Sequence, residues 1–200
     1  MIKNRLIIAD SEHNADMLYA TGMFVPDAFI ALEIDGRWHG LFSPLEVGRA
    51  KKESHLHEAH LDTPWRQAAE SAQYTGLAGI AAAFLKHRNI DQVDVPADFP
   101  LRYAEQLRSW GIEVSAVEGA FFPGRSVKSD YELRCLARSE SLTRKSMQQG
   151  EAYLAACGIG DDGVLRDPET AKKVESADVR RVIEVFLIAN GAMPAHTIVA

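Results

Sequence analysis

An aspartate–glycine pair, Asp35-Gly36, constrains the fold more than any other feature of this chain. Asp-Gly between two β-rich runs is a strong hairpin signal, because both residues tolerate the positive φ angles that a two-residue turn requires. It predicts that the runs 28–34 and 38–42 pair as antiparallel strands. The remaining sequence up to about residue 120 alternates between strand and helix patterns: strands at 5–10, 93–95 and 113–117, and helices at 14–20, 44–52, 63–85 and 101–110. This alternation predicts an α/β domain with a mixed sheet flanked by helices.

The pattern changes after residue 119, where Pro123-Gly124 is a strong turn signal. Ser129 and Glu132 then have the spacing of a capping box, which predicts the start of a long helix. A Gly- and Asp-rich loop at 158–167, an amphipathic helix ending at Asn190-Gly191, and a strand at 196–199 follow. Two helices and one strand cannot bury their apolar faces without partners. We therefore predict one domain at 1–122 and an incomplete second domain at 123–200.

Composition narrows the class of function. The formal net charge of −6 argues against general nucleic-acid binding, because phosphate binding needs a positive field. The most apolar segment, 77–85, is too short to span a bilayer, so no membrane partner is expected. The start of the chain lacks a signal-peptide pattern. The two cysteines, Cys135 and Cys157, form neither a disulfide framework nor a metal-ligand spacing. A soluble protein in the reducing cytoplasm is predicted.

Three segments carry a resemblance to a known family. Residues 18–29, with Tyr19 shortly before Thr21-Gly22, resemble a segment near the start of creatinase-type amino-terminal domains. Residues 125–133 are similar to that family's domain-junction signature, in which Arg125, Lys128 and Glu132 match an Arg-x-x-Lys-x-x-x-Glu pattern. Residues 196–200 resemble a strand that in the family runs into a glycine pair. The segments occur in the family's order, so the chain resembles the creatinase/aminopeptidase P/prolidase family of metallopeptidases over nearly its whole length.

This resemblance implies a fold and a division of labour. Residues 1–122 would be the creatinase-like amino-terminal domain, and 123–200 the start of the family's α+β "pita-bread" catalytic domain. The family's catalytic domain holds two divalent metal ions, expected to be Mn, Co or Zn, with two aspartates, one histidine and two glutamates. In the family these ligands follow the strand that 196–200 resembles, so no catalytic residue, metal ligand or cofactor maps onto this chain. The resemblance thus implies the amino-terminal portion of a Xaa-Pro aminopeptidase or prolidase, acting as a homodimer on peptides. This amino-terminal portion would serve dimerisation and selection of the substrate end, and alone it would be inactive.

Several residues allow a functional interpretation beside a structural one. His55, His57 and His60 form the one tempting metal-like group, although the acidic residues among them favour an exposed edge. Trp65, next to a predicted helix start, is a candidate aromatic for closing a substrate pocket, against the simpler role of packing. Arg125 and Lys128 are expected to form a hinge between the domains, which positions the capped helix that begins after Ser129.

Two alternatives to the peptidase hypothesis remain open. A non-catalytic binding module with a peptidase-like architecture would also fit, and the acidic charge is compatible with basic partners. A creatinase-like amidinohydrolase on the same scaffold is the other alternative, because a fold does not fix its chemistry. The family residues that would determine the substrate do not occur in this stretch of sequence.

Overall fold

The fold is that of a computed structural model, which describes residues 4–199. The chain divides into two compact units, Met1–Ser126 and Val127–Ala200. The assignment of 1–122 and 123–200 to two named domains stays a prediction.

The first unit is built on a six-stranded mixed sheet, in agreement with the predicted fold class. Its strands are β1 Arg5–Ala9, β2 Phe29–Ile34, β3 Arg37–Phe42, β4 Glu58–Leu61, β5 Gln92–Val95 and β6 Glu113–Ala116. They lie in the order β4-β3-β2-β1-β5-β6. The pairs β1–β2 and β2–β3 are antiparallel, whereas β3–β4, β1–β5 and β5–β6 are parallel.

The predicted hairpin lies between β2 and β3. Asp35 and Gly36 have φ angles of 51° and 75°, the left-handed pair that a type I′ turn requires. The turn fixes the register in which Leu32 faces His39. The Asp-Gly signal therefore located this part of the sheet correctly.

Helices cover both faces of the sheet, and each face has its own apolar core. The helices of this unit are α1 Ala15–Thr21, α2 Val47–Glu53, α3 Thr63–Ser71, α4 Gly76–His87 and α5 Leu101–Ser109. One core joins β1, β2, β3, β5 and β6 to α4 and α5, and Phe84 and Leu85 are fully buried in it. The other joins β1, β2 and β3 to α1 and α2, with Met17 fully buried. Because successive strand side chains point to opposite faces, one short strand contributes to both cores.

Two helical regions differ from the sequence prediction. Helix α2 begins at Val47 rather than at Pro44, after a turn. The single helical region expected from Thr63 to residue 85 is two helices, α3 and α4. Gln73 between them has a φ of 60°. This left-handed conformation is uncommon for a residue other than glycine, so the residue type does not indicate it. The break therefore could not be placed by periodicity.

Arg5 links the first strand to the end of the first unit. Its guanidinium lies 4.0 Å from the ring centroid of Phe121 and 4.4 Å from that of Phe122, and one nitrogen donates to the Phe121 carbonyl. Arg5 Nη1 also lies 3.1 Å from Glu33 Oε2. A cation stacked on aromatic faces and paired with a carboxylate holds the 121–122 segment against the sheet.

The second unit contains two helices and a small hairpin. Helix α6, Asp130–Ala156, begins with the predicted capping box, in which Ser129 Oγ accepts from the Glu132 amide. The loop expected at 158–167 contains a two-stranded hairpin, β7 Gly158–Ile159 and β8 Leu165–Arg166. Helix α7, Ser176–Ala189, ends at Asn190 as predicted.

The strand predicted at 196–199 is wrong for the described residues. No strand hydrogen bonds are formed there, and His196 has a φ of 55°, outside the strand region. Ala200, the last residue of the family-like segment, lies outside the described residues.

Among residues 4–199, no helix is both long enough and apolar enough to cross a lipid bilayer.

Candidate functional site

The candidate site lies at the β4 edge of the sheet. In the parallel β3–β4 pair, His39 faces Glu58 and Leu41 faces His60. Residues two apart on a strand share a face, and directly paired residues do too. His39, Glu58 and His60 therefore project from the same face, the one covered by α3 and α4. The backbone ladder alone brings these three side chains together.

The three side chains approach within ligand distance of one another. His39 Nδ1 lies 3.2 Å from His60 Nε2, where one ring nitrogen donates and the other accepts. Glu58 Oε2 lies 3.4 Å from His60 Nε2 and 3.8 Å from His39 Nδ1. His39 is buried, with a 5% exposed side chain, whereas 45% of the Glu58 side chain is exposed. The group thus runs from the core to the solvent along one edge.

An aromatic layer packs beneath this group. The Phe84 ring lies 5.4 Å from the His60 ring and 6.2 Å from the His39 ring, measured between centroids. Trp65 meets Phe84 edge to face at 4.8 Å, and the Arg88 guanidinium lies 4.5 Å from the Phe84 centroid. These contacts partly shield both imidazole rings from solvent.

Both histidines are held in their neutral form. Burial is the largest cause that lowers the pKa of His39, followed by the positive charge of Arg88. Burial also lowers the pKa of His60 below its ordinary value, and Arg88 acts in the same direction. The Glu58 carboxylate opposes the shift in both cases without reversing it. At neutral pH these ring nitrogens can therefore accept or coordinate.

The structure brings only one of the three histidines predicted as a group into this site. His60 lies in β4, whereas His55 and His57 precede the strand and are exposed. His57 Nδ1 accepts a hydrogen bond from the Trp38 backbone N–H at 3.0 Å. The sequence alone does not predict His39 as a member of this group. The pattern that could have indicated it is a histidine two residues before Leu41 in the predicted strand 38–42, which places both side chains on the apolar face.

Trp65 lies beside the candidate site. It is half-buried and packs its indole against Phe84 and, at 5.2 Å between centroids, against His87. This contact is the packing role expected for Trp65 as the simpler alternative to pocket closure. Closure of a substrate pocket by Trp65 stays a prediction.

The junction motif is divided between the two units. Arg125 lies in a short 3₁₀ helix, Pro123–Ser126, and forms an ion pair with Asp16 of α1 inside the first unit. Lys128 and Glu132 belong to the second unit, where Glu132 Oε2 accepts from the Ser129 backbone N–H at 2.8 Å. Each end of the motif thus anchors its own unit, and the hinge role stays a prediction.

The family's two-metal site does not fit the described residues. Among residues 4–199, His39, Glu58 and His60 are the one group of three or more His, Cys, Asp or Glu side chains close enough to share an ion. Two imidazoles and one carboxylate differ from a set of four carboxylates and one histidine. No catalytic step through a metal pair is derived for this chain.

Comparisons with known proteins identify the fold. No protein-family model matches the sequence, and no curated protein matches it. Solved structures do match. Xaa-Pro dipeptidase from Bacillus anthracis matches with a TM-score of 0.65 at 16% identity. The match covers 94% of this chain and 45% of the dipeptidase chain. Prolidase from Pyrococcus horikoshii OT3 has a TM-score of 0.62 at 15% identity, with the same two coverages.

A third structure gives the same result. X-Pro aminopeptidase from Thermotoga maritima MSB8 matches with a TM-score of 0.63 at 10% identity. The match covers 92% of this chain and 46% of the aminopeptidase chain. The chain therefore spans about half the length of the solved structures that it matches. Its fold is that of the amino-terminal portion of prolidases and Xaa-Pro aminopeptidases, which confirms the resemblance found in the sequence at the level of the fold.

Proposed function

We propose that this chain forms the amino-terminal portion of a Xaa-Pro aminopeptidase or prolidase-like metallopeptidase. The observation that carries the proposal is the match of 92–94% of the chain to three such structures. The family-like segments 18–29 and 125–133, found in the family's order, support it from the sequence. In this role the chain serves dimerisation and selection of the substrate end, and the substrate of the whole protein is a peptide.

The chain is proposed to be inactive by itself. The two divalent metal ions of the parent enzyme, Mn, Co or Zn, would be bound by residues outside this stretch. The misfit of the described residues to a carboxylate-rich metal pair supports this division of labour. A cytoplasmic location is part of the same proposal, and it is supported by two cysteines that are both free thiols.

A peptidase assay tests the inactivity. The purified chain is incubated with Xaa-Pro dipeptides and with longer peptides bearing proline in the second position, each with Mn²⁺, Co²⁺ or Zn²⁺. We expect no hydrolysis above the metal-only blank. Turnover that scales with the amount of chain would overturn the proposal. The same assay on the Glu58→Gln variant separates a reaction at the candidate site from a contaminating peptidase, whose activity would be unchanged.

The proposed homodimer has a separate test. Sedimentation velocity over a range of concentrations should give a species of twice the 22.0 kDa chain mass. A species that stays at the mass of one chain at every concentration would remove dimerisation from the proposed role. The result does not depend on catalysis, so the two parts of the proposal can fail separately.

A further inference from the structure

We infer that His39, Glu58 and His60 form a binding site for one divalent transition-metal ion of the zinc class. This site is separate from the metal pair proposed for the parent enzyme. It joins the edge strand β4 to β3, and neither the fold match nor the proposed peptidase role requires it.

The spacing of the donor atoms fits a shared ion. Bonds of about 2.0–2.2 Å to nitrogen or oxygen place tetrahedral ligand atoms about 3.3–3.6 Å apart. The three separations here are 3.2, 3.4 and 3.8 Å. An ion therefore needs only small side-chain adjustments to reach all three donors.

The donor chemistry selects the class of ion. Two imidazole nitrogens with one carboxylate oxygen suit Zn²⁺, Co²⁺, Ni²⁺ or Cu²⁺, whereas Mg²⁺ and Ca²⁺ prefer oxygen-only sets. The neutral form of an imidazole supplies the ring-nitrogen lone pair that binds such an ion. Three protein ligands leave a fourth position for water, on the side where Glu58 is exposed.

The donors are held by their surroundings. His39 and His60 lie on hydrogen-bonded strands and pack on Phe84, so their rings have little freedom. Arg37 Nη2 lies 3.8 Å from Glu58 Oε1, on the other oxygen of the carboxylate, and leaves Oε2 toward the histidines. Such outer contacts orient ligands and support metal affinity.

Nearby positive charges act against a cation: Arg88 acts on both imidazoles, Arg37 also acts on His39, and Lys51 also acts on His60. The Arg88 guanidinium lies over the Phe84 ring, and its positive charge disfavours further positive charge at both imidazoles. We therefore expect binding that is weaker than in a site with more than one carboxylate. Replacing Arg88 with Gln should tighten binding of the ion.

Cobalt is the probe for the test, because four-coordinate Co²⁺ absorbs far more strongly in the visible range than the hydrated ion. Co²⁺ is titrated into the metal-free chain, and Zn²⁺ is then added. We expect a visible band that saturates at one ion per chain and that Zn²⁺ abolishes. A spectrum that stays that of hydrated Co²⁺ would overturn the inference.

Three variants locate the ion. His60→Gln should abolish the band, and Glu58→Gln should weaken Co²⁺ binding by about tenfold or more. His55→Gln is the matched control, because His55 is an exposed histidine in the segment before β4, and it should bind as the parent chain does. Glu58 is exposed, so its variant is expected to fold even if loss of His60 proves disruptive. Binding that is unchanged in both site variants, or lost in His55→Gln, would contradict the assignment.

Discussion

His39 on β3 and His60 on β4 approach to 3.2 Å between Nδ1 and Nε2, although 21 residues separate them in the chain. Both rings are neutral because they are partly buried against Phe84 and face Arg88. The pair ties the edge strand to the rest of the sheet, and its protonation state bears on the stability of the first unit.

The pair predicts a pH-dependent stability. In the folded state both pKa values lie below the ordinary histidine value of 6.5, so the unfolded chain binds more protons around that pH. The free energy of unfolding is therefore highest above pH 6.5 and falls as the pH drops through and below it. Urea unfolding with a chelator present, followed by tryptophan fluorescence, measures this, because Trp38, Trp65 and Trp110 all lie in the first unit.

The His60→Gln variant removes one of the two groups. The difference in unfolding free energy between pH 7.5 and pH 5 should be smaller than in the parent chain. His55→Gln controls for the loss of an exposed imidazole. A pH dependence that His60→Gln leaves unaltered would show that this pair does not govern it.

Gly79 on α4 is predicted to resist substitution by alanine. An added Cβ would lie 2.7 Å from the Tyr74 carbonyl carbon and 3.0 Å from its Cβ. Such overpacking costs about 1–3 kcal/mol, which exceeds the helix-propensity gain of about 1 kcal/mol. Gly79→Ala should therefore lower the urea midpoint of the fluorescence transition.

Gly48 on α2 is the matched control. It is an exposed helical glycine with no neighbouring atom within 4 Å of an added Cβ. Gly48→Ala should stabilise the first unit by about 0.5–1 kcal/mol. If both glycine variants shift the midpoint in the same direction, the contact with Tyr74 does not decide the outcome.

Arg5 is predicted to need its guanidinium rather than only its charge. Lysine at this position keeps the cation but loses the planar group that stacks on Phe121 and Phe122 and pairs with Glu33. Arg5→Lys should destabilise the first unit by about 1–2 kcal/mol. The measurement is urea unfolding followed by fluorescence, with Arg102→Lys on the exposed side of α5 as control. Equal stability of the two variants would contradict the stacking role.

The capping box at the start of α6 gives a prediction for the second unit. Ser129→Ala removes the side-chain acceptor of the Glu132 amide and should cost about 1 kcal/mol. Far-UV circular dichroism is the appropriate probe, because the second unit has no tryptophan. Ser139→Ala, inside the same helix and exposed, should be neutral or slightly stabilising. A larger loss from Ser139→Ala than from Ser129→Ala would refute the cap.

Local signals in the sequence predicted the parts of the fold that are decided locally. The Asp35-Gly36 turn follows from the φ angles of two adjacent residues, and the Ser129–Glu132 box from a spacing of three. The boundary between α3 and α4 could not be predicted, because Gln73 adopts a left-handed conformation that its residue type does not favour.

The candidate site depends on a long-range pairing. Strand β4 is four residues long and partly exposed, and its parallel register with β3 places Glu58 opposite His39. A sequence of this kind does not specify which strand lies beside such a short edge strand. The sequence therefore groups His60 with its neighbours in the chain, His55 and His57, and does not indicate that His39 lies beside it.

The most direct test of the proposed function is to read the coding sequence past the codon for Ala200. The account predicts an open frame that continues into a glycine pair and later supplies two aspartates, one histidine and two glutamates in the catalytic domain. A stop codon directly after Ala200, or a continuation without those ligands, would contradict the assignment to a two-metal peptidase.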